Sequence, residues 1–194
     1  MRKAIFLDRD GVINRLVFNR KSKEYGAPLS AGDLKIYPGT DKILKKFMRM
    51  GYLLFLISNQ PDYAKGYTTL KNIKSVQKRL RGYFNAKGIK FSGYFYCFHH
   101  PMGIIPGYGR DCLCRKPGTF FLTKAKRRYS LDMKGSWFIG DSDSDTICGK
   151  RAGMKTVLIE QERSRHKRGA SRPDFFVPGL SGALRVISGL IKER

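Results

Sequence analysis

The sequence predicts an α/β protein in three layers, a parallel sheet with helices on both faces, and three observations predict it. Short apolar runs recur along the chain, each too brief for an ordinary helix. Each run is followed by a longer segment with helical spacing, and this alternation is how parallel strands joined by crossover helices read. At 194 residues with 41% hydrophobic content, the chain can bury one good core, so a single domain spanning residues 1–194 is expected.

The first strand is expected at Ala4 to Leu7, and it runs straight into the acids Asp8 and Asp10. Helical spacing follows at Thr40 to Met50, then a strand at Tyr52 to Ile57 that ends in Ser58-Asn59-Gln60. Thr69 to Lys87 reads as an amphipathic helix: Ile73, Val76, Leu80 and Phe84 mark one face and Lys71, Lys74, Lys78 and Arg81 the other. A strand at Tyr94 to Phe98 leads to Cys97 and His99, and a helix is expected at Thr119 to Tyr129. Trp137 to Ile139 gives a strand ending in Gly140-Asp141, then come a helix at Asp143 to Ala152, a strand at Thr156 to Ile159 and a helix at Leu180 to Ile191. In open parallel sheets ligands bind at the carboxyl ends of the strands, and here the polar residues collect at those ends. The connections from Asn14 to Pro38 and from Cys97 to Pro117 are long enough to be functional loops.

The charge balance is 39 basic against 15 acidic residues, a net +24 with pI near 10.2. Such a chain attracts nucleic acid, anionic membrane or phosphorylated metabolites without choosing among them. The basic clusters, including Lys45-Lys46, Lys124 to Arg128 and Arg163 to Arg168, are scattered and not interleaved with aromatics, as on a solvated surface. No apolar run approaches the length of a membrane span. The start Met1-Arg2-Lys3 enters the first strand directly, so a cytoplasmic, monomeric protein with reduced thiols is expected.

Two acids two residues apart past a buried strand can face one pocket, with Gly11 allowing a sharp turn behind them. An isolated Asp-x-Asp also reads as a solvated turn. A crowded pair stays ionised only with a cation or strong donors between its members, and an oxygen-rich site suits Mg²⁺. Asp8 can attack phosphorus as a nucleophile while Asp10 protonates the leaving oxygen and then activates water. Asp141 would complete the Mg²⁺ site, and Ser58 and Lys116 can meet the phosphoryl oxygens. Taken singly, Ser58 also reads as a strand-end cap and Lys116 as a surface lysine; their occurrence together at successive strand ends carries the weight.

A second constellation is Cys97-Phe98-His99 with Cys112-Leu113-Cys114. On extended backbone each pair turns both ligands to one side, so the two pairs can close a tetrahedral Cys₃His zinc site. Four protein ligands leave no open position, so such a site folds a loop at about residues 97–114 rather than activating water. Cys148 reads as core, and His100 is not expected to be a ligand.

The ordered segments FLDRDGVIN, SNQ, RKPG and FIGDSDSD resemble the four motifs of the haloacid dehalogenase superfamily of phosphatases. The resemblance implies a three-layer Rossmann-like fold, Asp8 as nucleophile, Asp10 as acid/base, Ser58 as a phosphate donor and Lys116 as the charge on the nucleophile side. It assigns the Mg²⁺ ligands to the Asp8 carboxylate, the Asp10 carbonyl and Asp141, with Asp145 shaping the metal site, while Asp143 reads simply as a helix cap. The loop from CFHHP to CLCRKP is similar to the zinc loop of the D-glycero-D-manno-heptose 1,7-bisphosphate and histidinol-phosphate phosphatases. That group lacks a large cap domain, so loops shape specificity; Asn59, Gln60 and Arg115 are then expected to meet the substrate, Arg115 as a clamp for a distal phosphate. The long loop, and Pro61 where the histidinol-phosphate branch has an acid, favour a sugar bisphosphate. Gly118-Thr119 directly after Arg-Lys-Pro, and Pro61-Asp62-Tyr63 in place of small residues, depart from the heptose pattern near the substrate. Histidinol phosphate or another small phosphomonoester, a nucleic-acid end, and a noncatalytic basic binding protein are the competing readings.

Overall fold

The computed structural model describes residues 1–190, and the last residue of the helix expected to reach Ile191 lies outside them. Its centre is a six-stranded sheet in which every neighbouring pair is parallel. The strands are β1 (Ala4–Leu7), β4 (Leu53–Asn59), β5 (Phe91–Cys97), β6 (Trp137–Gly140), β7 (Lys155–Ile159) and β8 (Phe175–Val177), in the order β5-β4-β1-β6-β7-β8. The long connection after β1 contains an antiparallel hairpin of β2 (Val17–Asn19) and β3 (Glu24–Gly26). Among the described residues there are five α-helices: α1 (Thr40–Arg49), α2 (Leu70–Ala86), α3 (Phe120–Tyr129), α4 (Asp143–Arg151) and α5 (Leu180–Ile187).

Every residue of β1 is fully buried, because both faces of the sheet are covered and the strand cannot alternate with water. Successive side chains still take opposite faces. Ile5 and Leu7 join the core formed with Leu44 and Phe47 of α1, Val76, Leu80 and Phe84 of α2, and Ala183 and Val186 of α5. Ala4 and Phe6 join the other, with Leu122 and Ala125 of α3 and Cys148 of α4. On that second face Phe6 stacks on Phe55 at 4.8 Å between ring centroids, and Phe138 lies at 6.5 Å from Phe6. Truncating Phe6 to Ala would cost about 3–5 kcal/mol. Cys148 is core, as its sequence neighbours suggest.

The expected helices all form, each one or two residues shorter at an end or, for the last, ending by Ile187 with a left-handed Gly189 behind it. Thr69 caps α2 by accepting the Asn72 N–H at 3.1 Å. Three short strands were not foreseen, β2, β3 and β8. Among the described residues no further domain covers the sheet, and no helix is long and apolar enough to cross a membrane. What stands over the carboxyl ends of the strands is loop: residues 8–39, which include the hairpin, the turn at 60–69, and residues 98–119.

Candidate active site at the strand ends

Strand β1 stops at Leu7, but the Asp8 N–H still reaches the Ile139 carbonyl at 2.9 Å, so the sheet carries Asp8 to its rim. The chain then turns sharply: Ile13 and Asn14 both donate to the Arg9 carbonyl, and Gly11 donates to the Asn14 carbonyl. Gly11 sits at φ +86, and a Cβ there would run into the Asp141 carboxylate, so no larger residue fits between the two acids. The Asp10 carbonyl takes no part in the turn's backbone bonds.

Lys116 arrives from the opposite end of the chain and is almost wholly buried. Its ammonium donates to Asp8 Oδ1 at 2.7 Å and to the Ile57 carbonyl at 3.2 Å, and it lies 2.5 Å from Asp145 Oδ1. Burial alone would lower its pKa; Asp145 and Asp8 outweigh that and hold it well above the usual lysine range. Asp8 is pushed up to about 6, chiefly by burial, which Lys116 opposes while Asp145 and Asp10 add to it. Asp141 is pushed up to about 8 by burial and by the neighbouring Asp8 and Asp145. Asp141 Oδ2 is buried with no hydrogen-bond partner, and one carboxylate oxygen from each of Asp8, Asp141 and Asp145 falls within 4.8 Å of the others. An orphaned buried carboxylate oxygen in an all-oxygen cluster fits a hard divalent cation.

Asp10 is organised differently from Asp8, although both line the same cavity. Arg9, with no exposed surface, pairs with both Asp10 oxygens at 2.9 and 3.0 Å and donates to Gln60 Oε1 at 2.7 Å. Asn14 and Gln60 also donate to Asp10, at 2.9 and 2.7 Å. Burial would raise Asp10, but Arg9 and these bonds hold it below the usual carboxylate range. Ser58 stands beneath, receiving a 2.8 Å bond from Gln60 and reaching Asp10 Oδ2 at 3.4 Å. Gln60, expected at the substrate, is buried and spends its amide on Arg9, Asp10 and Ser58. Asn59 lines the cavity but uses both ends of its amide on the Lys116 backbone, at 3.0 and 3.1 Å.

Asp145 accepts from the Ser142 hydroxyl at 2.6 Å and from the Ser142 N–H at 3.2 Å, so it caps α4 while its other oxygen meets Lys116. The cap expected of Asp143 is therefore made by Ser142 with Asp145. Asp143 instead accepts the N–H groups of Ala170 and Ser171, pinning the loop before β8.

The long loop brings Cys97, His99, Cys112 and Cys114 together. Sγ of Cys112 lies 3.1 Å from that of Cys114 and 3.4 Å from that of Cys97, while His99 Nδ1 is 3.6 Å from Cys114 and 3.9 Å from Cys97. A tetrahedron with metal–sulfur bonds near 2.3 Å has edges of about 3.8 Å, so the four donors fit zinc; all four cysteines of the chain are free. The second pair lies where the chain enters a turn, not on extended backbone as expected, because Arg115 must double back for the Gly118 N–H to reach its carbonyl. His100 stays outside the cluster, its Nδ1 accepting from Met102 N–H at 3.1 Å.

The cavity over these acids measures about 370 Å³. Arg115 is on its wall, as expected, with one N–H at 3.3 Å from the His99 carbonyl. Two residues were not foreseen, Lys167 on the cavity wall and Arg9 buried behind Asp10, while Asp62, placed by the sequence only near the substrate, also lines the cavity. Arg9 had a legible signal, a cation locked between two acids behind a buried strand; Lys167 comes from a loop far along the chain and had none.

Residues 113–183 match a family of HAD-hydrolase-like proteins. The chain is 36% identical over 160 residues to the D-glycero-alpha-D-manno-heptose-1,7-bisphosphate 7-phosphatase of Photorhabdus laumondii, covering 81% of each. It is 30% identical over 191 residues to the D-glycero-beta-D-manno-heptose-1,7-bisphosphate 7-phosphatase of Pasteurella multocida, covering 98% of this chain and 99% of the relative. The crystal structure of a D,D-heptose 1,7-bisphosphate phosphatase from B. bronchiseptica, complexed with magnesium and phosphate, superposes with a TM-score of 0.78 at 22% identity, over 97% of this chain and 99% of the other. With its strand-end acids, its parallel sheet and these relatives, the chain belongs to the haloacid dehalogenase-like phosphatases, in the family of the heptose 1,7-bisphosphate 7-phosphatases.

Proposed function

We propose that this protein is a cytoplasmic, single-domain, Mg²⁺-dependent phosphatase that removes the C7 phosphate of D-glycero-D-manno-heptose 1,7-bisphosphate, a step toward nucleotide-heptose and surface polysaccharide. The observation that carries the reading is the buried set Asp8, Asp141 and Asp145, two of them paired with Lys116, beside a cavity that Arg115 also lines. Family membership supplies the substrate, since the relatives named above are heptose bisphosphatases of both anomers.

An Asp8 oxygen forms the bond to phosphorus as the bond from phosphorus to the leaving oxygen breaks, giving an aspartyl phosphate; Asp10 gives that oxygen its proton. Asp10 then takes a proton from the water that attacks the same phosphorus, which releases phosphate and restores Asp8. Arg9 holds Asp10 as the carboxylate this second half needs. The arriving phosphate, an anion, raises Asp10 toward the protonated form the first half needs. Lys116 keeps Asp8 ionised and meets the phosphoryl oxygens together with Ser58 and the backbone after it. Asp8, the Asp10 carbonyl and Asp141 would hold Mg²⁺, which when bound would supply positive charge where the transferring group gathers negative charge. Cys97, His99, Cys112 and Cys114 would hold a structural Zn²⁺ that fixes the loop carrying Arg115 and Lys116.

Phosphate release with Mg²⁺ should be compared for both anomers of heptose 1,7-bisphosphate, fructose 1,6-bisphosphate, histidinol phosphate and a 3′-phosphorylated oligonucleotide. A heptose anomer is expected to lead by about a hundredfold in kcat/KM, roughly 2.7 kcal/mol of transition-state discrimination. Faster release from the oligonucleotide would overturn the substrate and make the +24 charge the feature that selects it.

A further inference from the structure

Asp62 lies in the turn after β4 and lines the cavity beside Asp10, Asn59, Arg115 and Lys116. The other acids of the cavity floor are engaged: Asp8 and Asp145 by Lys116, and Asp10 by Arg9, Asn14 and Gln60, while the orphan oxygen of Asp141 faces the proposed cation site. The Asp62 carboxylate has no hydrogen bond or ion pair among the described residues. Burial and the Asp10 carboxylate push its pKa up to about 6, with Lys65, Arg9 and Lys167 acting in the opposite sense.

We infer that Asp62 is a specificity-determining residue that accepts hydrogen bonds from hydroxyl groups on the leaving-group side of the substrate. The inference deepens the phosphatase reading and rests on it, because the leaving group is the part of the substrate that Asp10 serves. A phosphate offers only acceptor oxygens and negative charge, so a bare carboxylate repels it; a hydroxyl offers a proton, which a carboxylate takes in a strong charge-assisted bond. The cavity thus divides its labour, with Arg115, Lys116 and the ammonium groups of Lys65 and Lys167 suited to phosphates and Asp62 to the polyol between them.

The backbone that carries Asp62 is ordered before substrate arrives. Lys65 N–H bonds the Pro61 carbonyl at 3.0 Å, and Tyr67 N–H bonds the carbonyl of Asp62 itself at 2.8 Å. The long loop clamps it from outside: Ile104 and Ile105 both donate to the Ala64 carbonyl, at 2.7 and 3.1 Å, and Tyr108 meets Tyr63 edge-on at 4.8 Å between centroids. An acceptor on an ordered turn has only its own side-chain rotation to lose on binding.

The test is steady-state kinetics of the full-length Asp62→Ala and Asp62→Asn variants with Mg²⁺ on heptose 1,7-bisphosphate, on sorbitol 6-phosphate, and on p-nitrophenyl phosphate, whose leaving group has no hydroxyl to donate once bound. Asp62→Ala is expected to lose roughly ten- to a hundredfold in kcat/KM on the two polyol phosphates and under about threefold on the aryl phosphate. Asp62→Asn, which keeps an acceptor oxygen but not the charge, should fall between. Equal losses on all three substrates, or no loss on any, would overturn the inference. If the wild type ignored the heptose yet its preference for sorbitol phosphate over the aryl ester fell in the variants, the substrate proposed above would fail and the role of Asp62 would stand. Fast heptose turnover with an unchanged preference in both variants would sink the role of Asp62 alone.

Discussion

The carboxylates at the strand ends and the thiols of the long loop are both ligand clusters, but the chain supports them unequally. Asp8 and Asp141 stand at the ends of β1 and β6, two adjacent central strands of the sheet, and Asp145 sits in the first turn of α4. Lys116 ties Asp8 to Asp145 within the protein itself. Only Cys97 of the thiol set belongs to a strand; the other three donors lie in a segment without helix or strand. Burial, and the nearby Cys112 and Cys114 groups, push the Cys97 thiol up, which is the wrong direction for a ligand unless a cation compensates. A cation should therefore tune the first cluster and hold the second together.

The comparison breaks most visibly at Asp8. Asp8→Asn keeps the shape and the sheet but removes the nucleophile, and turnover should fall by roughly 10⁴-fold or more, about 5.5 kcal/mol. Melting should not fall, because Lys116 keeps Asp145 as its partner and the amide removes a charge that burial disfavours. A variant that still released phosphate at the wild-type rate would sink the mechanism.

The thiol cluster should show the reverse pattern. Removing its metal with a strong chelator, or replacing Cys112 and Cys114 by Ser, should lower stability by about 4 kcal/mol, some 10 °C in Tm, if the metal is bound at a thousand times its Kd. Protease cutting should appear first between residues 100 and 111. Metal analysis of the purified protein checks the premise: about one zinc per chain is expected, and none would show that the loop folds without it.

A pH series separates the clusters further. A carboxyl whose folded pKa lies above its ordinary 3.8 binds more protons folded than unfolded, so it lowers stability as pH rises from about 4 through the folded value. For Asp8 and Asp141 those values are about 6 and about 8, raised mainly by burial. Without added Mg²⁺ the protein should therefore lose stability between pH 5 and 8. Mg²⁺ displaces the same protons, so its stabilising effect should grow with pH, by about 1.4 kcal/mol per unit up to 8. A Tm increment from Mg²⁺ that is equal at pH 6 and pH 8 would place the cation elsewhere.

What sequence could and could not show follows the same division. The strands that bear the acids are continuous apolar runs, so β1, β4, β6 and β7 were legible, and with them the rim where Asp8, Ser58 and Asp141 meet. The hairpin of Val17–Asn19 and Glu24–Gly26 was not, since strands of three residues offer no period to read. Nor was β8, whose Phe175–Val177 follows Pro173 and a run of small and basic residues. Ligand type and spacing announced the thiol cluster, but not that Cys112 and Cys114 meet at a turn. Arg9 was passed over as the spacer of Asp-x-Asp, although a cation between two acids behind a buried strand is itself a signal. Asp62 was visible only as an unexpected residue after Gln60.

Asn59 joins the two regions, and its removal should have the smallest effect. Its amide takes the Lys116 N–H at 3.0 Å and gives to the Lys116 carbonyl at 3.1 Å, so the end of β4 holds the end of the thiol loop. Two hydrogen bonds are worth about 1–3 kcal/mol together, and Lys116 keeps its bonds to Asp8 and the Ile57 carbonyl in an Asn59→Ala variant. Activity should fall by about tenfold, because a small displacement of Lys116 weakens its hold on the phosphoryl oxygens. The loss should deepen well beyond tenfold once the loop metal is removed, since only then does Lys116 lose both of its backbone supports. A double-mutant cycle of Asn59→Ala with Cys114→Ser measures this. Simple additivity would mean that the two clusters fold as independent parts and that Lys116 is positioned by its ion pairs alone.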